Sequence, residues 1–381
     1  MSANEFDVLV IGEGLAGVVA AAAAVSRGAQ VTLASTGPGR FVLATACLDL
    51  DRIVADGSGS VAYTPQELKE AVSFFADFSG RAGCAYEGSV EERRMLPTVM
   101  GTFQTVSLAP RSIWQGDPRS MAKAVIVGIE GLSGFDADFV AERLFFHTQQ
   151  MGLNTSYRSV TIKPPEDLPR PLTTVEIATR WDRDPAYRAA FTDKFRSVVS
   201  DAELMILPGV LGVKSDDNDF KHLEEKIGCA ICELPTMPPS VPGLRLLRHF
   251  ERQLVRIGVE VITGFSVQKL CIDGDRCTGA HLDVPGRPRL IRADSVVLAT
   301  GRFSHLLERQ QSHDSSPRPP TQVDDELHAL TIAGDVVPTN LFECGGALGK
   351  FDPLHGNAIA ILTGHQAGIL ACETEVNYAA R

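Results

Sequence analysis

The sequence predicts an α/β chain with a Rossmann-like FAD/NAD(P)-binding fold, built from non-contiguous pieces and interrupted by an inserted substrate or cap domain. Three stretches predict it: "VLVIGEGLAGVVAAAAA" (8–24), "SVVLATG" (295–301) and "NLFECGGALG" (340–349). The first is an apolar strand that breaks into a glycine turn and then a helix. The second is an apolar strand ending in a small-residue turn, and the third is a strand, a glycine turn and the approach to a last helix. They lie near the beginning, in the last third and near the end of 381 residues. That length suits two intertwined domains better than one or three.

In the first stretch, Gly12-x-Gly14-x-x-Gly17 has the context that a dinucleotide fingerprint requires, a strand before it and a helix after it. Gly12 permits the tight turn, Gly14 admits a phosphate to the backbone, and Gly17 lets helix and strand pack closely. The N–H groups at the helix start, around Leu15 and Ala16, favour that phosphate. The alanine run lets the helix lie close to the sheet. The following strand, "AQVTLASTG", should end in an acid that accepts from the adenosine ribose, but it ends in Ala34, Ser35 and Thr36. The missing acid weakens ordinary FAD or NAD binding and is compatible with FMN. The complete glycine turn suits a pyrophosphate, and Ser35 or Thr36 could bond a ribose as neutral partners. FAD leads on the residues, and FMN stays open.

Further along, "TPQELKEAVSFFADFSG" reads as an amphipathic helix with Thr64 as N-cap and Pro65 at its first position. Strands are expected at "MAKAVIVGIEG" and "ELMILPGVLG". A helix is expected from Ala137 to about Met151, and a Pro-rich loop at "KPPEDLPRP". From about 246, the helix "LLRHFERQLVRIG" leads to "VEVITG", a hairpin-like "VQKLCIDGDRCTGAHLD" and the "SVVLATG" strand. The polar, Pro-rich "ERQQSHDSSPRPPTQ" reads as a mobile loop. The expected organisation is a first flavin-domain segment over 1–84, the inserted domain over 85–245, and a second flavin-domain segment over 246–381.

Composition narrows the function classes. Hydrophobic residues make up 44% and charged residues 22%, an ordinary globular balance. The net charge of −11 speaks against nucleic acid or an anionic membrane as partner. No stretch reaches the roughly 18 to 20 apolar residues of a bilayer span. The N-terminus lacks the basic region of a signal peptide, so a cytoplasmic protein is expected. Eight cysteines are scattered, and only Cys229 and Cys232 form C-x-x-C, inside "IGCAICELP", which reads as a buried strand. Reduced core thiols are expected and no metal site. Dithiol chemistry at Cys47 would need a second sulfur, and none is near in sequence.

"SVVLATG", with Thr300 and Gly301, resembles the strand that flavoproteins of the two-dinucleotide-fold superfamily place beside the cofactor. "NLFECGGALG", with Gly345 and Gly346, resembles the turn that reaches the ribityl chain and ring there, with Asn357 following in the helix. The runs "LPTMPPSVPGLRL" (234–246), "MGTFQTVSLAP" (100–110), "VIVGIEGLSGFDADF" (125–139), "NLFECGGALGKFDP" (340–353) and "CLDL" (47–50) narrow this further. Together they resemble the B subunit of anaerobic glycerol-3-phosphate dehydrogenase over most of the chain. The resemblance implies a flavin subunit, usually FMN-bearing, beside a catalytic flavoprotein and an iron–sulfur subunit at the inner membrane. That complex oxidises glycerol 3-phosphate to dihydroxyacetone phosphate and passes electrons to quinone.

The chain departs from the pattern in two places: a shorter stretch before "TNLFECGG", and "LHGNAIA" where relatives carry a glycine–cysteine cluster. A flavin relay or scaffold subunit is therefore the alternative. An NAD(P)H-dependent flavin reductase would need a second dinucleotide turn, and "VIVGIEGLSG" has glycines at the wrong spacing. Two residues are candidates for substrate chemistry. His355, ahead of the last helix, could be the acid/base group, with a packing histidine as the plain alternative. Arg245 could hold a substrate phosphate or carboxylate, with a structural ion pair as its alternative.

Overall fold

The structure, a computed structural model, describes residues 5–43, 46–50, 63–166, 171–236, 238–286, 288–301, 323–324, 326–328, 338–348 and 356–379. The strands, in chain order, are β1 Glu5–Ile11, β2 Val31–Ser35, β3 Tyr86–Gly88, β4 Arg94–Pro97, β5 Phe103–Val106, β6 Leu108–Pro110, β7 Lys123–Ile129 and β8 Ser156–Ile162. They continue with β9 Leu204–Pro208, β10 Ala230–Leu234, β11 Glu260–Thr263, β12 Val267–Asp273, β13 Arg276–Leu282, β14 Arg289–Leu298 and β15 Leu341–Glu343. The helices are α1 Leu15–Ser26, α2 Pro65–Ala82, α3 Arg111–Trp114, α4 Ala137–Gln150, α5 Thr174–Arg183, α6 Pro185–Val199, α7 Asp217–Ile227, α8 Val241–Arg256 and α9 Gly356–Ala379.

The chain divides into two compact units. One comprises Met1–Arg40, Leu50–Phe78 and Phe250–Arg381, the other Phe41–Asp49 and Ser79–His249. The divisions at 78/79 and 249/250 fall inside α2 and α8.

In the first unit, five parallel strands lie in the order β11-β2-β1-β14-β15. The N-terminal half of β14 also pairs with β13 in an antiparallel ladder, and β13 pairs with β12. β14 is therefore parallel at one end and antiparallel at the other. The expected hairpin is this β12–β13 pair, and a register shift marks it between Cys271 and Ile272.

Helix α1 is buried continuously from Ala16 to Ala24. A helix apolar all round must be covered on more than one side. β1 and β2 contact it, and its other cover is α9, which comes within van der Waals range through two glycines. A Cβ on Gly364 would stand 2.4 Å from Ala16 O, and one on Gly368 2.3 Å from Ala20 O. Small residues on both helices let the backbones touch, so the alanines serve this helix–helix contact as well as the sheet. Asn340 fastens the entry to β15. Its Oδ1 accepts from Cys277 N at 2.8 Å and its Nδ2 donates to Cys277 O at 2.8 Å and to Asp294 O at 2.5 Å.

The second unit holds a four-stranded parallel sheet, order β10-β9-β7-β8. Its central strands are near-continuous apolar runs because both faces are covered. On one face Val125, Val127 and Ile129 meet Trp181, Phe191, Phe195 and Phe220. On the other, Ala124 and Ile126 meet Val140, Ala141 and Leu144 of α4. Period-two alternation along β7 thus feeds two cores.

Helix α2 starts as its sequence signals. Thr64 Oγ1 accepts from Glu67 N at 3.2 Å, and Glu67 Oε2 accepts from Thr64 N at 2.6 Å. This reciprocal cap holds the Glu67 carboxyl below its ordinary range. The Pro-rich stretch at 308–322 lies outside the described residues.

Candidate flavin site and its relatives

The parallel strands of the first unit end level with one another. Ile11 pairs with Ala34 on one side and Leu298 on the other, Ala34 pairs with Ile262, and Leu298 pairs with Glu343. The chain therefore leaves β1, β2, β14 and β15 along one edge of the sheet. This is the carboxyl edge, where open α/β sheets bind their ligands.

The turn after β1 is held by contacts that only glycine allows. Gly12 has φ +111°, and a Cβ there would stand 2.4 Å from Ala299 O. A Cβ on Gly17 would fall 1.8 Å from Gly12 O. Gly14, by contrast, is the N-cap of α1, and a Cβ built on it meets nothing within 4 Å. Among the described residues no side chain caps this helix start, and no acid lies in its first turn. The open approach at Gly14 and the uncapped N–H groups around Leu15 and Ala16 fit a pyrophosphate. From the loop after β2, Gly39 approaches Gly14, its ideal Cβ position lying 3.2 Å from Gly14 Cα.

Thr300 and Gly301 follow β14 after Ala299. Gly345 follows β15, with φ +71° and an ideal Cβ position only 2.7 Å from Ala16 Cβ. Its N–H donates to Thr363 Oγ1 of α9 at 2.9 Å. Gly346 continues that turn, and Asn357 lies in the first turn of α9. The structure thus brings the glycine turn, the "ATG" turn and the "CGG" turn to one edge.

Ser35 ends β2 beside them. It is buried, and its Oγ accepts from Gly37 N at 3.1 Å, which makes it part of a local turn. Sequence reasoning missed Glu13, the middle residue of the fingerprint. It is only 2% exposed, and its Oε2 accepts from Thr263 Oγ1 at 2.8 Å. The signal was present as an acid inside the glycine turn, but the expectation looked for one only at the end of β2.

Arg245 requires a correction. It lies in the second unit, 3% exposed, with Nη1 donating to Glu233 Oε2 at 2.6 Å and Nη2 to Glu233 Oε1 at 3.2 Å. Nε and Nη2 also donate to Gly212 O, at 2.9 and 2.7 Å, and the guanidinium lies 4.7 Å from the Phe220 ring centroid. Its fork is committed to a buried structural ion pair rather than to a substrate anion. His355 lies outside the described residues.

Cys229 and Cys232 sit on or beside β10, and burial pushes the Cys229 thiol up to about 11. Cys232 is raised further by the same cause, with Cys47 and Glu233 adding to it. No disulfide joins any of the eight cysteines, and Cys47 is buried. Among the described residues no group of three or more His, Cys, Asp or Glu could hold a metal ion. Nor is any helix among them long and apolar enough to cross a membrane.

Level parallel strand ends and an uncapped, glycine-lined helix start define a Rossmann-like site of the kind that receives a dinucleotide, and the matching family model makes that cofactor a flavin, FAD. The family model described as "FAD binding domain" matches residues 179–343, from α5 to the end of β15. Homologues described as the B subunit of anaerobic glycerol-3-phosphate dehydrogenase align with nearly the whole chain. The one from Halobacterium salinarum, which carries that description as "probable", is 27% identical over 433 residues, covering 97% of this chain and 99% of that protein. The B subunit from Yersinia enterocolitica is 26% identical over 409 residues, covering 92% and 93%. The resemblance drawn from the Pro-Pro-Ser-Val and Cys-Gly-Gly segments is borne out. Among solved structures, the 3-ketosteroid-Δ4-(5α)-dehydrogenase of Rhodococcus jostii aligns over 97% of both chains with TM-score 0.39 and 12% identity.

Proposed function

We propose that this chain is the flavin-bearing B subunit of a multi-subunit dehydrogenase that oxidises glycerol 3-phosphate to dihydroxyacetone phosphate. Near-full-length similarity to proteins of that description carries the reading. The partners are a catalytic flavoprotein and an iron–sulfur subunit at the inner membrane, through which electrons reach quinone. The chain itself is cytoplasmic and peripheral through those partners, and residues 85–245 serve as its substrate or cap domain.

When bound, the flavin accepts an electron pair and releases electrons singly. The chain's own residues bind and orient it. Gly14, Leu15, Ala16 and Gly17 present N–H groups to the pyrophosphate, while Gly12, whose own N–H donates to Ala34 O at 2.8 Å, shapes the turn that holds them. Ser35 lies toward the adenosine side, and Thr300, Gly301, Gly345, Gly346 and Asn357 line the approach of the ribityl chain and ring. His355 is the proposed acceptor of the substrate hydroxyl proton. Co-expression with the neighbouring subunits of its native locus tests the reading. A flavin-loaded complex should reduce quinone with glycerol 3-phosphate, whereas full quinone reductase activity in the isolated chain would contradict it.

A second reading, a relay or scaffold subunit without a substrate of its own, is favoured by the commitment of Arg245 to Glu233. His355→Asn in the flavin-loaded complex separates the two. A fall in kcat on the order of a hundredfold supports substrate chemistry on this chain. Unchanged turnover places the substrate site on the partner.

A further inference from the structure

We propose that Glu13 supplies the carboxylate that the end of β2 lacks, and that it accepts hydrogen bonds from the adenosine ribose hydroxyls of FAD. The inference rests on the flavin reading above. The fingerprint's second strand normally ends in an acid for this purpose, and here it ends in Ser35, whose hydroxyl is held by Gly37 N.

Glu13 reaches the same place from the neighbouring turn. It follows β1 by two residues, and its Oε2 accepts from Thr263 Oγ1 at 2.8 Å. Thr263 is the last residue of β11 and pairs with Ser35. The strand order is β11-β2-β1, so β2 lies between the two partners. With two strand spacings totalling about 9.5 Å, a hydrogen bond from the β1 turn to the end of β11 must pass over the end of β2. The carboxylate therefore stands where a β2 acid would have stood.

Its second oxygen carries the argument to a ligand. Glu13 is 2% exposed, and its Oε1 is buried with no hydrogen-bond partner among the described residues. A buried carboxylate oxygen left unsatisfied is costly, and such atoms are rare in folded proteins unless something else supplies the donor. A vicinal diol supplies two O–H donors. Thr263 holds one oxygen in position, which leaves the other for the ribose. Only a ligand with a ribose at this end uses it, so Glu13 is a specificity residue that favours FAD over FMN.

The test measures flavin affinity rather than turnover. Apoprotein of the full chain, its Glu13→Gln variant and its Thr263→Val variant are titrated with FAD and with FMN by quenching of flavin fluorescence. ADP serves as competitor. The wild-type chain should bind FAD more tightly than FMN, and ADP should displace the FAD. Glu13→Gln keeps an oxygen for Thr263 but replaces the other with a donor. It should weaken FAD about 10- to 100-fold, leave FMN within about twofold, and abolish competition by ADP. Thr263→Val should shift FAD in the same direction by less, and it carries the test if Glu13→Gln does not fold. Unchanged FAD affinity in folded variants overturns the role of Glu13 while leaving the flavin site standing, as does a wild-type chain that binds FMN alone. A wild-type chain that binds neither flavin overturns both readings.

Discussion

Arg245 and Glu233 form a buried, two-pronged ion pair, at 2.6 and 3.2 Å, in which both side chains are nearly or fully excluded from solvent. Glu233 Oε1 also accepts from Val210 N and Leu211 N at 3.1 and 3.0 Å, and Arg245 binds Gly212 O. The pair thus ties α8 to β10 and fixes the loop after β9. Such a pair contributes little against an apolar replacement of both partners, but removal of one strands the other.

Glu233→Ala should therefore destabilise the chain by about 3–5 kcal/mol, and Arg245→Met similarly. The double variant Glu233→Leu with Arg245→Met should recover only part of that loss, because Val210 N, Leu211 N and Gly212 O lose these side-chain partners in it. Denaturant unfolding of the four proteins checks it. Arg245→Lys should lower stability and leave the KM of the assembled enzyme unchanged, since a lysine keeps the charge but not the fork.

Gly14→Val and Gly17→Ala should fail in different ways. A Cβ at Gly14 meets nothing within 4 Å, so Gly14→Val should fold normally and purify without flavin absorbance. A Cβ at Gly17 meets Gly12 O at 1.8 Å, so Gly17→Ala should lose about 1–3 kcal/mol or more of stability. Flavin content and melting temperature together separate the two outcomes, and full flavin occupancy in Gly14→Val would contradict the site.

His365 gives the first unit an acid-side weakness. Its ring lies 4.9 Å from that of Phe74, tilted 46° to it, and burial lowers its pKa from the ordinary 6.5, with Glu70 opposing and Arg27 adding. Below about 6.5 the unfolded chain takes up a proton that the folded chain resists. The stabilising contribution is complete above that pH and is lost as pH falls toward the lowered folded value. Melting temperatures between pH 7.5 and 5.5 should fall less for His365→Gln than for the wild type.

Thiol reagents should find few targets in the native chain at pH 8. Burial pushes Cys84 and Cys344 up to about 12 and Cys277 to about 11, and Cys232 is fully buried. These four should stay silent until denaturant is added, while the partly exposed Cys271 and Cys372 react first. Mass spectrometry after brief labelling identifies them.

The glycine turn, the β12–β13 hairpin and the cap of α2 were legible because each is decided by residues near one another in sequence. Gly17 faces Gly12, and Thr64 faces Glu67. Arg245 was not legible, because an arginine in "PGLRL" looks the same whether it faces a ligand or Glu233 on another element. Glu13 was hidden for a similar reason. Its meaning depends on β11 lying next to β2, an adjacency fixed by pairings some 230 residues apart. Gly364 and Gly368 were passed over because the alanine run was read against the sheet alone.

The cover of α1 by α9 also sets a timetable for synthesis. The helix that would receive the pyrophosphate is made within the first 26 residues, but its covering surface comes from residues 356–379, and β14 beside β1 from 289–298. A ribosome moving at about 5–20 residues per second needs roughly 20–70 s between the two. Through that interval the apolar α1 waits without its native cover. The nucleotide fold can close only once residues 356–379 have been made, so a complete FAD site forms after them and not around the first strand alone.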